Sequence, residues 1–153
     1  MCKSKGFVAV DPDNVDGYTN ANGVGLTAAH QLSYNTFLAN EAHAQGLAAG
    51  LKNDLGQLTQ LTPHFDFFVN EQCNEFGECG MYTPSKAAGK PVWNIEYTST
   101  NFNKGCPQQA TMGMRTTLKS LSLTASPFTE CSTNPWPYPS PSPSPSPSPS
   151  PTP

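Results

Sequence analysis

Three aspartates, Asp11, Asp13 and Asp16, lie within six positions directly after the apolar run Phe7-Val8-Ala9-Val10. Only 12% of the residues are charged, so this density of carboxylates at the end of a strand-like segment needs a physical reason. Carboxylates in such a place can bind calcium, form a solvated turn or line an active site. Each of these explanations makes a different demand on the rest of the sequence.

The spacing of the aspartates does not fit a calcium loop of the EF-hand type. In a loop that starts at Asp11, the fifth, sixth and twelfth positions are Val15, Asp16 and Asn22, where the loop needs an oxygen ligand, a glycine and a glutamate. The Gly-rich phosphate-binding pattern and the GxSxG nucleophile elbow are also absent from the sequence. We therefore expect no metal and no cofactor, which leaves the chemistry of the carboxylates themselves.

Carboxylates follow each of four short apolar segments that have the composition of buried strands. The segments are residues 7–10, 47–51, 65–69 and 92–95, and the carboxylates are, in that order, Asp11 with Asp13, Asp54, Glu71 and Glu96. In a (β/α)8 barrel, the carboxyl ends of the strands converge on the face that carries the active site. The pattern therefore predicts one pocket lined by acidic side chains.

Segments with helical patterns separate and follow these strands. A helix is predicted from the N-cap candidate Thr27 to Gly46, a helical turn over residues 55–61, a helix near residues 82–88 and a last helix over residues 108–121. Strands that alternate with helices predict an α/β fold with a parallel sheet, built from about four βα units.

Two converging carboxylates can hydrolyse a glycosidic bond. One carboxylic acid protonates the leaving oxygen, and a second carboxylate attacks the anomeric carbon or activates water. We predict this pair to be Asp13 and Glu71, because mutual repulsion and partial burial would raise the pKa of one of them and so supply an acid. Two other interpretations stay open: Asp13 and Asp16 can cap a turn, and Glu71 can form a salt bridge with Lys52.

Other polar and aromatic residues beside this pair are candidates for contacts with a sugar. They are Asp11, Asn14, Asp16, Tyr18, Lys52, Asn53, Glu96 and Tyr97. Tyr18, Trp93 and Tyr97 can stack on pyranose faces, although a tryptophan inside a strand is also typical of packing. Lys52 can contact sugar hydroxyls or neutralise Glu71.

The five cysteines can be free thiols or can form disulfides. Cys73 and Cys79 are six positions apart, Cys106 and Cys131 flank the last predicted helix, and Cys2 is left over. Two disulfides with one free thiol would fit an oxidising compartment. Free buried thiols are a second possibility, whereas zinc is disfavoured because no CxxC pair occurs.

The charge and hydropathy of the chain exclude several classes of partner. The net charge is −3 and no Lys/Arg cluster occurs, which argues against nucleic acid and suits a polycationic ligand better. No apolar run reaches about 18 residues, so we expect no membrane span. The opening residues MCKSKGF lack the pattern of a signal peptide.

The last nineteen residues, 135–153, differ in composition from the rest. They hold ten of the sixteen prolines and no charged residue, so they cannot form a packed core and are expected to be disordered and extended as polyproline II. The predicted domain therefore covers residues 1–134. The tail resembles the Ser-Pro modules of cell-wall glycoproteins, although an inert terminus fits equally well.

Four stretches of the sequence, VDPDNVDGYTNANG, GLAAGLKND, FDFFVNEQCNEFGEC and VWNIEY, resemble successive motifs of glycoside hydrolase family 114, the endo-α-1,4-polygalactosaminidase type. The resemblance covers about residues 1–131. It implies a TIM-barrel hydrolase of cationic, α-1,4-linked galactosamine polymers, with Asp13 as the nucleophile and Glu71 as the acid/base of a retaining reaction. Asp11 departs from the motif, in which a glutamate usually precedes the proline.

A complete (β/α)8 barrel takes about 200–250 residues, so the resemblance implies the C-terminal half of one. The N-terminal half would then be a missing partner, and residues 7–10 and 92–95 would form unpaired edges, so we expect the chain to fold poorly by itself. An extracellular or cell-wall location is expected. The alternative function is a non-catalytic carbohydrate-binding or structural glycoprotein of the cell wall.

Overall fold

The computed structural model describes residues 1–132. The predicted domain boundary after residue 134 and the polyproline II tail over residues 135–153 lie outside the described residues. The strands of the described part are β1 (Ala9–Val10), β2 (Ala48–Lys52), β3 (Phe67–Glu71), β4 (Val92–Glu96), β5 (Met114–Lys119) and β6 (Phe128–Glu130). Its α-helices are α1 (Ala28–Ala44), α2 (Leu58–Leu61), α3 (Cys73–Phe76), α4 (Thr83–Ala87), α5 (Ser99–Gly105) and α6 (Gln109–Met112). Short 3-10 turns cover Lys3–Lys5, Gly17–Thr19, Leu55–Gln57, Cys79–Tyr82 and Cys106–Gln108.

The strands form one sheet in the order β1-β2-β3-β4-β5-β6. Strands β1 to β5 are parallel, and β6 is antiparallel to β5. Because each parallel strand lies beside the one before it, with helical segments between them, their carboxyl ends share one edge of the sheet. The α/β prediction is therefore confirmed, and the acidic segments meet at that edge.

Helix α1 begins and ends where the sequence predicts. The Thr27 hydroxyl accepts a hydrogen bond from the His30 backbone N–H at 3.2 Å, which satisfies a donor of the first turn. Gly46, with φ at 68°, ends the segment in the left-handed region that favours glycine. The side chains of Asn35, Ala39 and Ala42 are buried along the face of the helix that packs on the sheet.

The core lies between the sheet and its helices. Its largest fully buried apolar side chains are Leu51, Leu58, Leu61, Phe65, Phe68, Tyr82 and Val92. Phe68 and Tyr82 form an edge-to-face pair with ring centroids 6.2 Å apart. On the opposite face of the sheet, Phe67 and Trp93 form a second edge-to-face pair, and Trp93 remains 37% exposed. Trp93 therefore packs against Phe67, as expected for a tryptophan inside a strand.

The last predicted helix, over residues 108–121, is wrong for most of its length. Helix α6 stops at Gly113, where φ is 67°, and the chain then forms β5. β5 pairs with β4 over five residues, for example Asn94 with Thr116. The β-branched pair Thr116-Thr117 favours a strand once this pairing is available. Strand β4 is consequently an inner strand, and the predicted edge at residues 92–95 is also wrong.

The first strand is shorter and more open than predicted. Only Ala9 and Val10 pair with β2, whereas Phe7 and Val8 are 58% and 75% exposed. The prediction of a buried strand is therefore wrong for Phe7 and Val8, and within residues 1–132 β1 has a strand neighbour on one side alone. Strand β3 begins two residues later than predicted, so Glu71 is its last residue.

The structure joins Cys73 to Cys79 and Cys106 to Cys131, and Cys2 is free and exposed. The first disulfide closes a loop directly after β3, and the second fastens the end of β6 to the turn after α5. No helix within residues 1–132 is long and apolar enough to cross a membrane. The same residues contain no group of three or more His, Cys, Asp or Glu side chains arranged to hold a metal ion.

Candidate active site

Three charged side chains meet at the carboxyl edge of the sheet. Lys52 ends β2, Glu71 ends β3, and Asp13 lies three residues after β1. The Lys52 Nζ atom is 3.0 Å from Asp13 Oδ1 and 2.9 Å from Glu71 Oε2. Two oxygens that close to one nitrogen are at most about 6 Å apart. Asp13 and Glu71 thus lie on the same face, across a gap narrow enough for one sugar ring to contact both.

The Glu71 side chain is held at both of its oxygens. Oε2 is paired with Lys52, and Oε1 accepts a hydrogen bond from the Tyr97 hydroxyl. The Glu71 backbone N–H also donates to Asn53 Oδ1 at 2.9 Å. Asn53 adopts the left-handed backbone conformation with φ at 51°, which asparagine tolerates better than most residues. Two segments, the end of β2 with Lys52 and Asn53 and the end of β4 with Tyr97, therefore fix the position of Glu71.

Asp11 is the third carboxylate of this cluster. Burial raises the pKa of Asp11 to about 6, the nearby charges of Asp13 and Glu71 add to the increase, and Lys52 opposes it. Its Oδ1 atom lies 3.0 Å from the position that a β-carbon on Gly50 would occupy. The carboxylate thus packs against the β2 backbone, where the absence of a side chain makes room for it.

The charges of the cluster favour an ionised Asp13 and a protonated Lys52. The hydrogen bond from Lys52 and a second one from the Asn14 backbone N–H lower the pKa of Asp13. Burial disfavours the charged form of Lys52, but its bonds to Glu71 and Asp13 outweigh that effect and raise its pKa. Burial, and then the Glu71 carboxylate, raise the pKa of Tyr97, so its hydroxyl remains a donor.

A cavity of about 420 Å³ adjoins Glu71 on the side of the loop that follows β2. Four of its lining residues are acidic: Asp16, Asp54, Glu71 and Glu78. Tyr18, Phe76 and Met81 supply apolar surface, and none of the lining residues in the described part of the chain is basic. The cavity therefore combines a negative potential with flat apolar groups.

Asp54 is the most buried acid of this cavity, with 2% of its surface exposed. Its Oδ2 atom accepts a hydrogen bond from Asn35 at 2.9 Å, and it is also hydrogen-bonded to Tyr18. Burial raises the pKa of Asp54 to about 6, and the neighbouring charge of Asp16 adds to the increase. Asp54 thus fixes Tyr18 at the cavity wall and links the loop after β1 to helix α1.

The structure brings most of the predicted site residues to this edge. Those in the cluster or its cavity are Asp11, Asp13, Asp16, Tyr18, Lys52, Asn53, Glu71 and Tyr97. Asn14 is exposed beside them and contacts Asp13 through its backbone N–H. Glu78 and Phe76 were missed by the sequence analysis. The short Cys73–Cys79 loop that carries both was a usable signal, since it directly follows Glu71.

Glu96 is not brought to the cluster. It is fully buried, and its Oε1 atom accepts hydrogen bonds from the Asn74 backbone at 2.9 Å and from Asn94 at 2.9 Å. Successive side chains of a strand point to opposite faces, so Asn94 and Glu96 face the helices while Ile95 and Tyr97 face the other way. This corrects the predicted sugar contact: Glu96 supports the start of α3.

Comparison with known proteins identifies a family and a solved relative of this chain. The sequence model of glycoside-hydrolase family GH114 matches residues 1–135. A solved relative is Ega3 of Aspergillus fumigatus, whose crystal structure is a complex with galactosamine. It is 38% identical, with a TM-score of 0.75 over 81% of this chain and 54% of that protein, so this chain spans about half of its length. Among curated proteins none matches significantly.

The likeness to Ega3 confirms the predicted partial TIM-barrel architecture, whose consecutive parallel strands are β1 to β5. The acidic cluster lies at the carboxyl edge of these strands, which is the edge where barrel enzymes carry their active sites. Taken with a family match over residues 1–135, these findings show that the chain belongs to glycoside hydrolase family GH114.

Proposed function

We propose that this protein hydrolyses α-1,4-linked galactosamine-type polysaccharide, with Asp13 as the nucleophile and Glu71 as the acid/base. The observation that carries the proposal is the gap of at most about 6 Å between oxygens of these two carboxylates. Retaining glycosidases place their carboxyl groups about 5–5.5 Å apart, and inverting enzymes about 6.5–9.5 Å. The upper limit of about 6 Å lies below the inverting range and supports a retaining reaction.

The reaction has two steps. In the first, protonated Glu71 gives its proton to the glycosidic oxygen while Asp13 attacks the anomeric carbon, so the bond to the leaving sugar breaks and a glycosyl–Asp13 ester forms. In the second, Glu71 takes a proton from water, whose oxygen attacks the anomeric carbon and releases Asp13. The lowered pKa of Asp13 suits the nucleophile, which must be ionised before the attack.

Charge supports the choice of an amino sugar. The cavity beside Glu71 presents Asp16, Asp54 and Glu78 without a basic lining residue in the described part, and an ammonium group of the substrate would neutralise part of this potential. Tyr18 and Phe76 offer flat surfaces to sugar rings. Ega3, which was solved with galactosamine, is consistent with the same substrate class.

We also propose that the protein acts outside the cell or in the cell wall. Cys73–Cys79 and Cys106–Cys131 are disulfides, and such bonds persist in oxidising compartments.

Hydrolysis of α-1,4-galactosamine oligomers, followed by product analysis, tests the function. We expect turnover by the wild type and a loss of at least about 10³-fold in kcat for both Asp13→Asn and Glu71→Gln. The matched control is Glu41→Gln, which removes a carboxylate from the exposed face of α1 and should leave kcat unchanged. Proton NMR of the first product should show the α-anomer. Azide should rescue Asp13→Gly by forming a glycosyl azide.

Two outcomes would contradict the proposal in different ways. Full activity in either carboxylate variant would reject the assignment of the pair. Binding of the oligomers by the wild type without any turnover would favour the alternative function, a non-catalytic carbohydrate-binding glycoprotein.

A further inference from the structure

Lys52 occupies the space between the two proposed catalytic carboxylates. Its Nζ atom lies 3.0 Å from Asp13 and 2.9 Å from Glu71, and only 11% of its side chain is exposed, against 66% for Asp13. Its backbone is fixed as well, because Lys52 pairs with Val69 of the neighbouring strand. The ammonium is therefore a built-in part of the site rather than a mobile surface charge.

Within residues 1–132, no second lysine or arginine forms an ion pair with the carboxylates of the cluster. All eight basic residues of the chain lie within the described part, and six of the other seven donate elsewhere. Those six are Lys3, Lys86, Lys90, Lys104 and Lys119, which donate to backbone carbonyls, and Arg115, which pairs with Glu130. Lys52 alone thus offsets the repulsion among the carboxylates of Asp11, Asp13 and Glu71.

We propose that Lys52 is a positioning residue for the hydrolysis: its ammonium sets the gap between Asp13 and Glu71 and keeps Asp13 negatively charged for attack. This inference rests on the proposed function of the two carboxylates. Two like charges at most about 6 Å apart would otherwise separate or share a proton. As the sugar enters the gap, Lys52 stays with Asp13 and releases Glu71, which can then carry a proton to the glycosidic oxygen.

A contact between Lys52 and sugar hydroxyls is the competing explanation, and it predicts a different kinetic effect. A binding contact made equally in the ground and transition states changes KM, whereas a group that positions the carboxylates changes kcat. The pKa of Asp13 is lowered by Lys52 and by the Asn14 backbone N–H, and Asp11, Glu71 and Tyr97 are the other titratable groups of the cluster. Of these, Lys52 is the cation, so its removal should move the titration of Asp13 toward higher pH.

The kinetic test compares Lys52→Met with Lys52→Arg in the full chain. Methionine keeps the length and apolar stem without the charge. We expect kcat to fall about 10²-fold with KM changed less than about threefold, and the acidic limb of kcat/KM to shift to higher pH. Arginine keeps the charge and should restore kcat to within about tenfold of the wild type. Lys5→Met, at an exposed position, is the control and should behave as the wild type.

A carbon-13 NMR titration of the aspartate and glutamate carboxyls tests the same inference without substrate. Asp13 should titrate below its ordinary pH range in the wild type and within or above that range in Lys52→Met. A wild-type Asp13 titration midpoint within or above the ordinary pH range overturns the proposal. This measurement does not depend on whether any variant folds. A methionine variant that keeps wild-type kcat and an unchanged pH profile also overturns the proposal. Inactive wild-type protein would instead contradict the proposed function, while the titration would still decide the role of Lys52.

Discussion

The Tyr97 hydroxyl donates a hydrogen bond to Glu71 Oε1 across 26 positions of sequence. Removal of this donor by Tyr97→Phe should leave Lys52 as the remaining side-chain partner of the carboxylate, whose orientation is then less restrained. We expect kcat to fall about tenfold to 50-fold, with KM changed less than about twofold, because orientation of the acid/base matters most in the transition state. Tyr34→Phe, on the exposed face of α1, is the matched control.

An increase in KM with kcat unchanged would argue against this role for Tyr97, since it would indicate that the hydroxyl contacts the sugar and not Glu71. A fluorescence-detected unfolding curve of each variant separates an effect on the site from an effect on the fold.

Asp54→Asn should make the protein more stable above pH 6. Burial raises the pKa of Asp54 to about 6 in the folded protein, so the folded state binds its proton more tightly than the unfolded state does. The stability from that proton is present below the ordinary pKa of 3.8 and is lost as the pH rises through about 6. Because asparagine carries no charge, the free energy of unfolding of the variant should exceed that of the wild type by about 3 kcal/mol at pH 8.

Urea unfolding at pH 4 and pH 8 measures this difference, which should be small at pH 4. Equal stability of the two proteins at pH 8 would show that burial of the ionised Asp54 has no cost. The hydrogen bond from Asn35 can be kept by the amide oxygen of the substituted side chain, so the comparison isolates the charge.

Asp66→Asn should lower the stability of the protein, which is the opposite of the effect expected for Asp54→Asn. Burial works to raise the pKa of Asp66, but hydrogen bonds from the Ala49 backbone N–H and from His43, both 2.8 Å long, outweigh it, and the pKa is lowered. The contribution of ionised Asp66 to the free energy of unfolding is present above its pKa in the unfolded state. It is lost as the pH falls through the lower pKa of the folded state. The variant should therefore be less stable at pH 7, by less than about 1 kcal/mol because the pair is half-exposed.

Denaturant curves at pH 7 and pH 2 check this expectation, and the loss should vanish at pH 2. A loss of equal size at both pH values would mean that the charge of Asp66 is unimportant and that the effect lies in packing.

Gly50→Ala should destabilise the sheet beneath the site. A β-carbon at Gly50 would lie 2.3 Å from the Phe67 ring and 3.0 Å from Asp11 Oδ1. Either the ring or the carboxylate must shift, which should cost about 1–3 kcal/mol in thermal or denaturant unfolding. Gly80→Ala is the control, because nothing lies within 4 Å of a β-carbon there. If Gly50→Ala is as stable as this control, the packing of Asp11 against β2 is loose.

Several features of the site could be predicted because they depend on chain order and on the period of the apolar residues. Parallel strands place their carboxyl ends on one edge whatever the details of packing, which is why Asp13 and Glu71 meet. The possible salt bridge of Glu71 with Lys52 followed from charge, but a single charge pair does not reveal that the same ammonium also reaches Asp13.

The errors come from properties that local sequence does not determine. The side of the sheet reached by Glu96 depends on where β4 begins, since a shift of one residue exchanges the two faces. The segment Met114–Lys119 is compatible with a helix by its periodicity, and pairing with β4 decides in favour of a strand. Both outcomes require knowledge of the neighbouring strands.

The bond between Cys106 and Cys131 determines how the protein responds to mechanical load. Cys131 directly follows β6, and the chain continues beyond it toward the Ser-Pro repeats. A pulling force applied from that end reaches Cys131 first and passes through the sulfur bridge to Cys106. The backbone hydrogen bonds between the three residues of β6 and β5, and the loop before β6, then carry no load. Under reducing conditions the same force would peel β6 from β5, so the thiol redox state decides whether the sheet or a covalent bond carries the tension.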